Sequence, residues 1–160
     1  MNKNSLKNIA TEVINLGINA LKILKKSINK NFDKAVNTIV NCQSKIILCG
    51  VGKSGLIAAK IASTLSSVGS PAFSLSANDC LHGDLGSITK KDILILISNS
   101  GRSEEIIPII KFANRNKIKL IGIVSKKNSL LYKGSDIKIL LPGVKAVSYT
   151  HLTLPTTPYV

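Results

Sequence analysis

From residue 45 onward, short apolar runs alternate with longer helical stretches. The apolar runs show no polar alternation, which predicts five buried strands at residues 45–49, 72–75, 92–97, 119–124 and 136–141. Helices fit at residues 54–68 and 103–116. This order predicts an α/β fold, a doubly wound five-stranded parallel sheet with right-handed crossovers. Ligands in such folds bind at the carboxyl ends of strands, so the loops after residues 49, 75 and 97 are the candidates.

The first 43 residues predict a helical arm ahead of this domain, which we place at residues 44–146. Residues 4–28 carry Leu6, Ile9 and Val13 on one helical face, and residues 32–40 form a second helical stretch. The apolar stripe needs a partner. Packing on the same chain and packing against another subunit both remain open.

The formal charge of +14 invites a nucleic-acid interpretation, but the lysines are spread along the chain and aromatic residues make up 4%. Most of this charge is therefore interpreted as solvated surface that favours anionic substrates, and we predict no nucleic-acid partner. The apolar runs are too short to cross a bilayer and no secretory signal is recognisable, so we expect a cytoplasmic protein without membrane contact. The three cysteines form no CxxC pair and predict neither a disulfide framework nor zinc.

Residues 50–55, with the sequence GVGKSG, form the first motif, directly after a strand and at the start of a helix. A dinucleotide site would need an acidic residue at the end of the second strand, where residues 75–77 read LSA. A Walker A loop would need glycine in place of Ile47. An anion-binding turn with a lysine remains. Its candidate residues are Gly52, Lys53 and Ser54.

Residues 98–105, with the sequence SNSGRSEE, form the second motif, again between a strand and a helix. Hydroxyl groups, glycine-turn amides and a helix N-terminus predict a cradle for a phosphate monoester. Helix capping by Ser103 is the alternative, but it explains one serine of three. Glu105 is a candidate acid/base group, although glutamate is common in the first turn of a helix. The predicted phosphate-binding residues are Ser98, Asn99, Ser100 and Ser103.

Residues 81–86, with the sequence LHGDLG, form the third motif, in the loop after the second strand. His82 is a candidate acid/base group because imidazole titrates near neutral pH, and an ordinary surface histidine is the alternative. We also include Gly69 and Ser70 in the predicted substrate-binding set.

The three motifs, in this order, resemble the sugar isomerase (SIS) domain of the arabinose-5-phosphate isomerase family over residues 5–145. The resemblance implies a flavodoxin-like sheet, a dimer or tetramer, and interconversion of D-arabinose 5-phosphate with D-ribulose 5-phosphate, which feeds Kdo and lipopolysaccharide synthesis. No cofactor is expected. For this reaction we assign acid/base roles to His82 and Glu105 and electrostatic or acid support to Lys53.

The chain departs from the family pattern at several places. Members continue after the fifth strand with Lys-Glu-Ala, whose glutamate is linked to catalysis, whereas Lys145 is followed here by Ala146. A later His-Pro-Gly-Gly segment and two cystathionine-β-synthase-type repeats are also missing. Where some members carry a metal-binding histidine, this chain has Ser76, so we predict no required metal.

Residues 147–160 contain no Lys, Asn or Ile, the residue types that dominate the preceding sequence. We interpret this segment as a non-native or unstructured tail, with a native proline-rich linker as the alternative. The sequence therefore predicts a truncated chain that is inactive or nearly so.

Two other functions compete with arabinose-5-phosphate isomerisation. Another phosphosugar isomerase, such as a hexulose-phosphate isomerase, uses the same fold, but the HGDLG sequence argues against it. A non-catalytic sugar-phosphate sensor could use the same cradle without turnover. Such sensors usually carry a DNA-binding module, and the residues ahead of the domain offer no helix-turn-helix candidate.

Overall fold

The computed structural model describes residues 3–144. Five strands are present: β1 (Ile46–Gly50), β2 (Ala72–Ser76), β3 (Ile93–Ser98), β4 (Lys119–Val124) and β5 (Ile137–Leu140). The helices of the described range are α1 (Lys3–Ser27), α2 (Lys30–Val40), α3 (Lys53–Ser67), α4 (Ala77–Leu81), α5 (Ile106–Arg115) and α6 (Leu130–Gly134). A 3-10 turn spans Asp84–Ser87.

All neighbouring strands run parallel, in the order β2-β1-β3-β4-β5. This confirms the predicted five-stranded parallel sheet and is the flavodoxin-like order, with its switch point between β1 and β3. The register aligns the strand ends, because Gly50 of β1 lies opposite Ser76 of β2 and Ile97 of β3. The segments that follow these three strands therefore leave the sheet at one edge.

Each face of the sheet is covered by helices, because successive strand side chains point to opposite faces. Ile47 and Cys49 of β1 belong to one buried cluster, which includes residues of α4, α5 and α6. Ile46 and Leu48 belong to the other, which includes residues of α2 and α3. Burial on both faces explains why the central strands are apolar over most of their length.

The chain divides into two compact units. Residues 28–141 form one, and helix α1 belongs to the other. Helix α2 lies in the unit of the sheet, although the sequence grouped it with α1 in one arm. Its Asn31 side chain donates to the carbonyl of Lys138 at 3.1 Å, and Ala35 is buried. The predicted tail at 147–160 lies outside the described residues. Within residues 3–144, no helix is both long and apolar enough to span a bilayer.

Asp92 ties the amino ends of the strands together at the edge opposite the three motifs. Its carboxylate is buried and accepts from Ser44 Oγ at 2.6 Å and from the Thr89 amide at 2.6 Å, with Lys45 Nζ at 3.0 Å. Burial alone would raise the pKa of Asp92, but the hydrogen bond from Ser44, together with those from Thr89 and Lys45, lowers that pKa to about 2. The buried charge is therefore well compensated.

Three local predictions need correction. Strand β2 is not buried: it is one of the two edge strands, its residues are half-buried or exposed, and Phe73 is 36% accessible. The segment after β2 is not a plain loop, because α4 and the 3-10 turn occupy it. Helix α5 begins at Ile106 rather than at residue 103, since residues 103–105 form a turn in which the Ile106 amide donates to the Ser103 carbonyl.

Candidate functional site at the carboxyl edge of the sheet

Glycines allow α3 to begin directly against the end of β1. A Cβ on Gly50 would come within 2.7 Å of the Ser54 carbonyl carbon, and one on Gly55 within 2.8 Å of the Gly50 oxygen. Gly52 has φ +55°, in the left-handed region that favours glycine. This turn, the β1 turn (residues 50–55), makes Lys53 the first residue of α3 and leaves it exposed at the sheet edge.

A cleft of about 250 Å³ lies between the β1 turn and the end of β2. Backbone and hydroxyl groups provide its polar surface, and no charged side chain lines it. The lining residues are Gly50, Gly52, Gly55, Leu56, Ser74, Leu75 and Ser76. Such a lining suits hydroxyl-bearing or anionic ligand groups that accept backbone hydrogen bonds. Ser74 was not predicted from the sequence. Side-chain alternation along β2 could have suggested it, but only if β2 had been known to be an edge strand.

The last residue of β3 and the segment that follows it, together called the β3 loop (residues 98–105), present serine hydroxyls. Ser98 Oγ is buried and accepts from the Gly101 amide at 3.0 Å, and Ser100 Oγ accepts from the Arg102 amide at 3.3 Å. A hydroxyl that accepts in this way still has its own O–H to donate. The loop therefore offers oriented hydroxyl donors to an anion, while the two amides are already engaged.

The β3 loop is held in place by the connection between β4 and α6. The Ser125 amide donates to the Asn99 carbonyl at 3.2 Å, and the Leu131 amide donates to the Gly101 carbonyl at 3.1 Å. Gly101 has φ +63°, and a Cβ there would come within 2.6 Å of Ser129 Cβ. No larger residue fits at position 101 without movement of this connection.

His82 follows α4 at the carboxyl edge next to β2. Its amide donates to the Asp79 carbonyl at 2.9 Å, and the residue is exposed. Two residues earlier, Cys80 is buried against Cys49 of β1. The hydrogen bond with the Cys80 thiol and burial raise the pKa of Cys49, so this thiol remains protonated and serves as core. Cys80 thus anchors α4 and sets where His82 stands.

The structure brings the three motifs to one edge of the sheet but leaves part of the predicted set elsewhere. Lys53, His82 and Ser98 belong to segments that follow β1, β2 and β3, which are adjacent. Gly69 and Ser70 lie between α3 and the start of β2, at the opposite edge, so the fold does not place them with the other candidates.

The remaining predicted residues lie within the β1 turn and the β3 loop. Asn99 is exposed, Ser54 and Ser103 are half-buried, and Glu105 is half-buried directly before α5. Within residues 3–144, no group of three or more His, Cys, Asp or Glu side chains is placed to hold a metal ion. The expectation that the reaction needs no metal stays a prediction.

The family model of the SIS domain matches residues 39–159, which include all three motifs. The chain belongs to the SIS domain family. Among curated SIS relatives, the arabinose 5-phosphate isomerase KdsD of Francisella tularensis is 42% identical over 137 residues, covering 84% of this chain and 42% of the relative. The Yersinia pestis KdsD is 41% identical over 130 residues, covering 81% of this chain and 40% of the relative. This SIS chain spans less than half the length of the curated relatives it matches.

Among solved structures, an E. coli CFT073 protein in complex with arabinose 5-phosphate has the same SIS architecture. It superimposes with a TM-score of 0.85 at 33% sequence identity, covering 91% of this chain and 77% of that protein. The similarity extends over nearly the whole described range and confirms the fold.

Proposed function

We propose that this SIS domain binds pentose 5-phosphates and forms part of an aldose-ketose isomerase that interconverts D-arabinose 5-phosphate and D-ribulose 5-phosphate. The observation that carries the proposal is the convergence of the β1 turn, the segment after β2 (residues 77–87, the His82 segment) and the β3 loop at the ends of adjacent strands. Its support from relatives is the KdsD similarity and the sugar-phosphate complex of the E. coli protein.

In this proposal the phosphate group binds at the β3 loop. The hydroxyl oxygens of Ser98 and Ser100 accept hydrogen bonds from loop amides, and their O–H groups can donate to phosphate oxygens. Ser103 stands in the turn that leads into α5, whose N-terminus adds favourable partial positive charge. Anchoring a phosphate remote from the reacting carbons supplies binding energy for orientation.

The proton transfer is proposed to occur between the β3 loop and the His82 segment. A base removes the C2 proton of the aldose while a donor protonates the C1 oxygen, which forms an enediol. Return of a proton to C1 and loss of the C2 hydroxyl proton then give the ketose. His82 and Glu105 are the proposed acid/base pair, and Lys53 stabilises the developing negative charge.

The proposal includes a cellular role and an assembly state. The reaction would supply arabinose 5-phosphate for Kdo and lipopolysaccharide synthesis in the cytoplasm. A homo-oligomer, dimer or tetramer, is supported by exposed apolar side chains on and after α3, where Leu56 and Val68 are 74% and 72% accessible. Light scattering of the purified full-length protein tests the assembly state.

An isomerase assay of the full-length protein tests the reaction. We expect conversion of D-arabinose 5-phosphate to D-ribulose 5-phosphate, and little or no conversion by the chain of residues 1–160, which lacks the family's Lys-Glu-Ala glutamate. Binding of the sugar phosphate without turnover by the full-length protein would favour the sensor alternative. Preference for a hexulose 6-phosphate would favour the other isomerase class.

A further inference from the structure

We propose that Arg102 is a positioning residue: it braces the β3 loop from outside and is not a ligand of the phosphate. The inference rests on the proposed function, because it assumes that this loop receives the phosphate group. An arginine within a phosphate-binding motif would ordinarily be assigned to the phosphate, since its planar fork matches phosphate oxygens. The structure gives its side chain a different partner.

The Arg102 guanidinium is engaged with the next loop along the sheet edge. Its Nη2 donates to the backbone carbonyl of Asn128 at 3.2 Å, across 26 positions in sequence. Its backbone amide donates to Ser100 Oγ at 3.3 Å. Arg102 therefore connects Ser100, a proposed phosphate-binding residue, with the β4–α6 connection.

The β4–α6 connection, taken with the first two residues of α6 as residues 125–131, can support such a link. Ser125 and Leu131, at its two ends, donate backbone hydrogen bonds to Asn99 and Gly101 of the β3 loop. Ser129 is fully buried, and its Oγ caps α6 by accepting from the Tyr132 amide at 3.2 Å. The bond from Arg102 adds a side-chain link between two segments that are already paired through their backbones.

The consequence for binding follows from loop ordering. To reach a phosphate, Arg102 would have to release the Asn128 carbonyl and so give up one tie of the loop that presents Ser98 and Ser100. If Arg102 keeps its bond to Asn128, the loop is already ordered and loses less conformational entropy when ligand binds. Loss of the brace should weaken binding and raise KM, while the chemical step and kcat stay close to normal.

The experiment compares R102A, R102K and K127A with the unmodified full-length protein. Lys127 is the matched control: it is exposed in the same connection, and within residues 3–144 no hydrogen bond or ion pair of its side chain is seen. Amide hydrogen exchange at Ser125 and Leu131 is measured without ligand, and D-arabinose 5-phosphate and inorganic phosphate are then titrated. Kinetics with D-arabinose 5-phosphate give KM and kcat separately.

R102A should exchange both amides about three- to tenfold faster and bind both probes about three- to tenfold more weakly, the effect of one lost hydrogen bond. R102K should lie close to the unmodified protein, because an ammonium can also donate to the Asn128 carbonyl. K127A removes the same charge and should change neither quantity.

Unchanged exchange in R102A would overturn the brace, with weaker binding then assigning Arg102 to the phosphate directly. Faster exchange with unchanged affinity would overturn its role in binding, and a fall in kcat with constant KM would do the same. If the unmodified protein binds neither probe, the proposed function fails and with it the role in binding, while the exchange measurement still decides whether the brace exists.

Discussion

The segments after β3 and after β2 meet at the same edge of the sheet but are built in opposite ways. The β3 loop begins with a buried serine and is tied through Asn99, Gly101 and Arg102 to the β4–α6 connection. The segment after β2 is anchored by Cys80 and then exposes His82 and Gly83. The loop proposed to bind the phosphate is therefore held by several hydrogen bonds, whereas His82, the proposed proton-transfer group, is exposed to solvent.

The largest expected effect concerns the exposed groups proposed for catalysis, His82 in the segment after β2 and Lys53 in the neighbouring β1 turn. In the full-length protein, Lys53→Ala and His82→Ala should each lower turnover of D-arabinose 5-phosphate by at least about a hundredfold, the usual scale of lost acid/base or charge stabilisation. Stability should change by less than about 0.5 kcal/mol, because both residues are exposed. Steady-state kinetics and thermal unfolding measure the two quantities.

Lys60→Ala is the control for Lys53, since Lys60 is an exposed lysine in the same helix. Near-normal turnover by folded Lys53→Ala or His82→Ala proteins would show that the substituted residue is an ordinary surface residue without a catalytic role.

Gly101 and Gly83 are the left-handed glycines of the segments after β3 and β2, and alanine at each position compares how tightly the two segments are packed. Gly101→Ala should cost about 2–4 kcal/mol, because a strained φ is combined with overlap against Ser129 and Val124. Gly83 has φ +120° but nothing within 4 Å of its added Cβ, so Gly83→Ala should cost only backbone strain of about 1–2 kcal/mol. Urea unfolding of both variants decides the order, and an equal or larger loss for Gly83→Ala would contradict the difference in construction.

Much of this fold could be predicted from sequence because the strands β1, β3 and β4 are buried on both faces over most of their length and consist mainly of apolar residues. The same reasoning failed for β2, since Ala72, Phe73 and Leu75 look apolar locally while the strand order places them at the edge. Helix α4 has five residues, too few to show helical periodicity.

The candidate site was only partly predictable for a related reason. Glycine and serine patterns identified the β1 turn and the β3 loop, because positive φ angles, close backbone approach and serine–amide hydrogen bonds all depend on nearby residues. The hydrogen bonds that hold the β3 loop join residues distant in sequence, so no local sequence pattern predicts them. They involve Ser125, Asn128 and Leu131. Gly69 and Ser70 carry a turn signal of the same kind, but the chain has by then returned to the opposite edge.

The segments after β2 and β3 follow strands of the same sheet. Substitution of Asp92, at the opposite edge of that sheet, tests whether the stability of the sheet affects ligand binding. Its pKa falls from 3.8 to about 2 on folding, so it stabilises the folded state by about 2 kcal/mol above pH 4. This contribution should be lost as the pH falls from about 4 to about 2. Asp92→Asn should flatten that part of the stability profile and leave sugar-phosphate affinity at neutral pH unchanged; reduced affinity would show that the two edges are coupled.

The smallest effect separates two serines within the β3 loop. Ser98→Ala leaves the Gly101 amide without its buried acceptor and should cost about 1–2 kcal/mol of stability and weaken phosphate binding. Ser100→Ala removes an exposed, longer hydrogen bond and should cost at most about 0.5 kcal/mol. Calorimetric titration with D-arabinose 5-phosphate and urea unfolding compare the pair, and equal losses of stability would argue against a preorganised loop.

The position of the phosphate in crystals of the protein soaked with D-arabinose 5-phosphate tests whether the β3 loop is the phosphate-binding site. We predict the phosphate at the β3 loop, within hydrogen-bonding distance of Ser98, Ser100 or Ser103, with the sugar carbons directed toward Lys53 and His82. A phosphate bound at the amino edge of the sheet, or anywhere away from these serines, would contradict the assignment of the site.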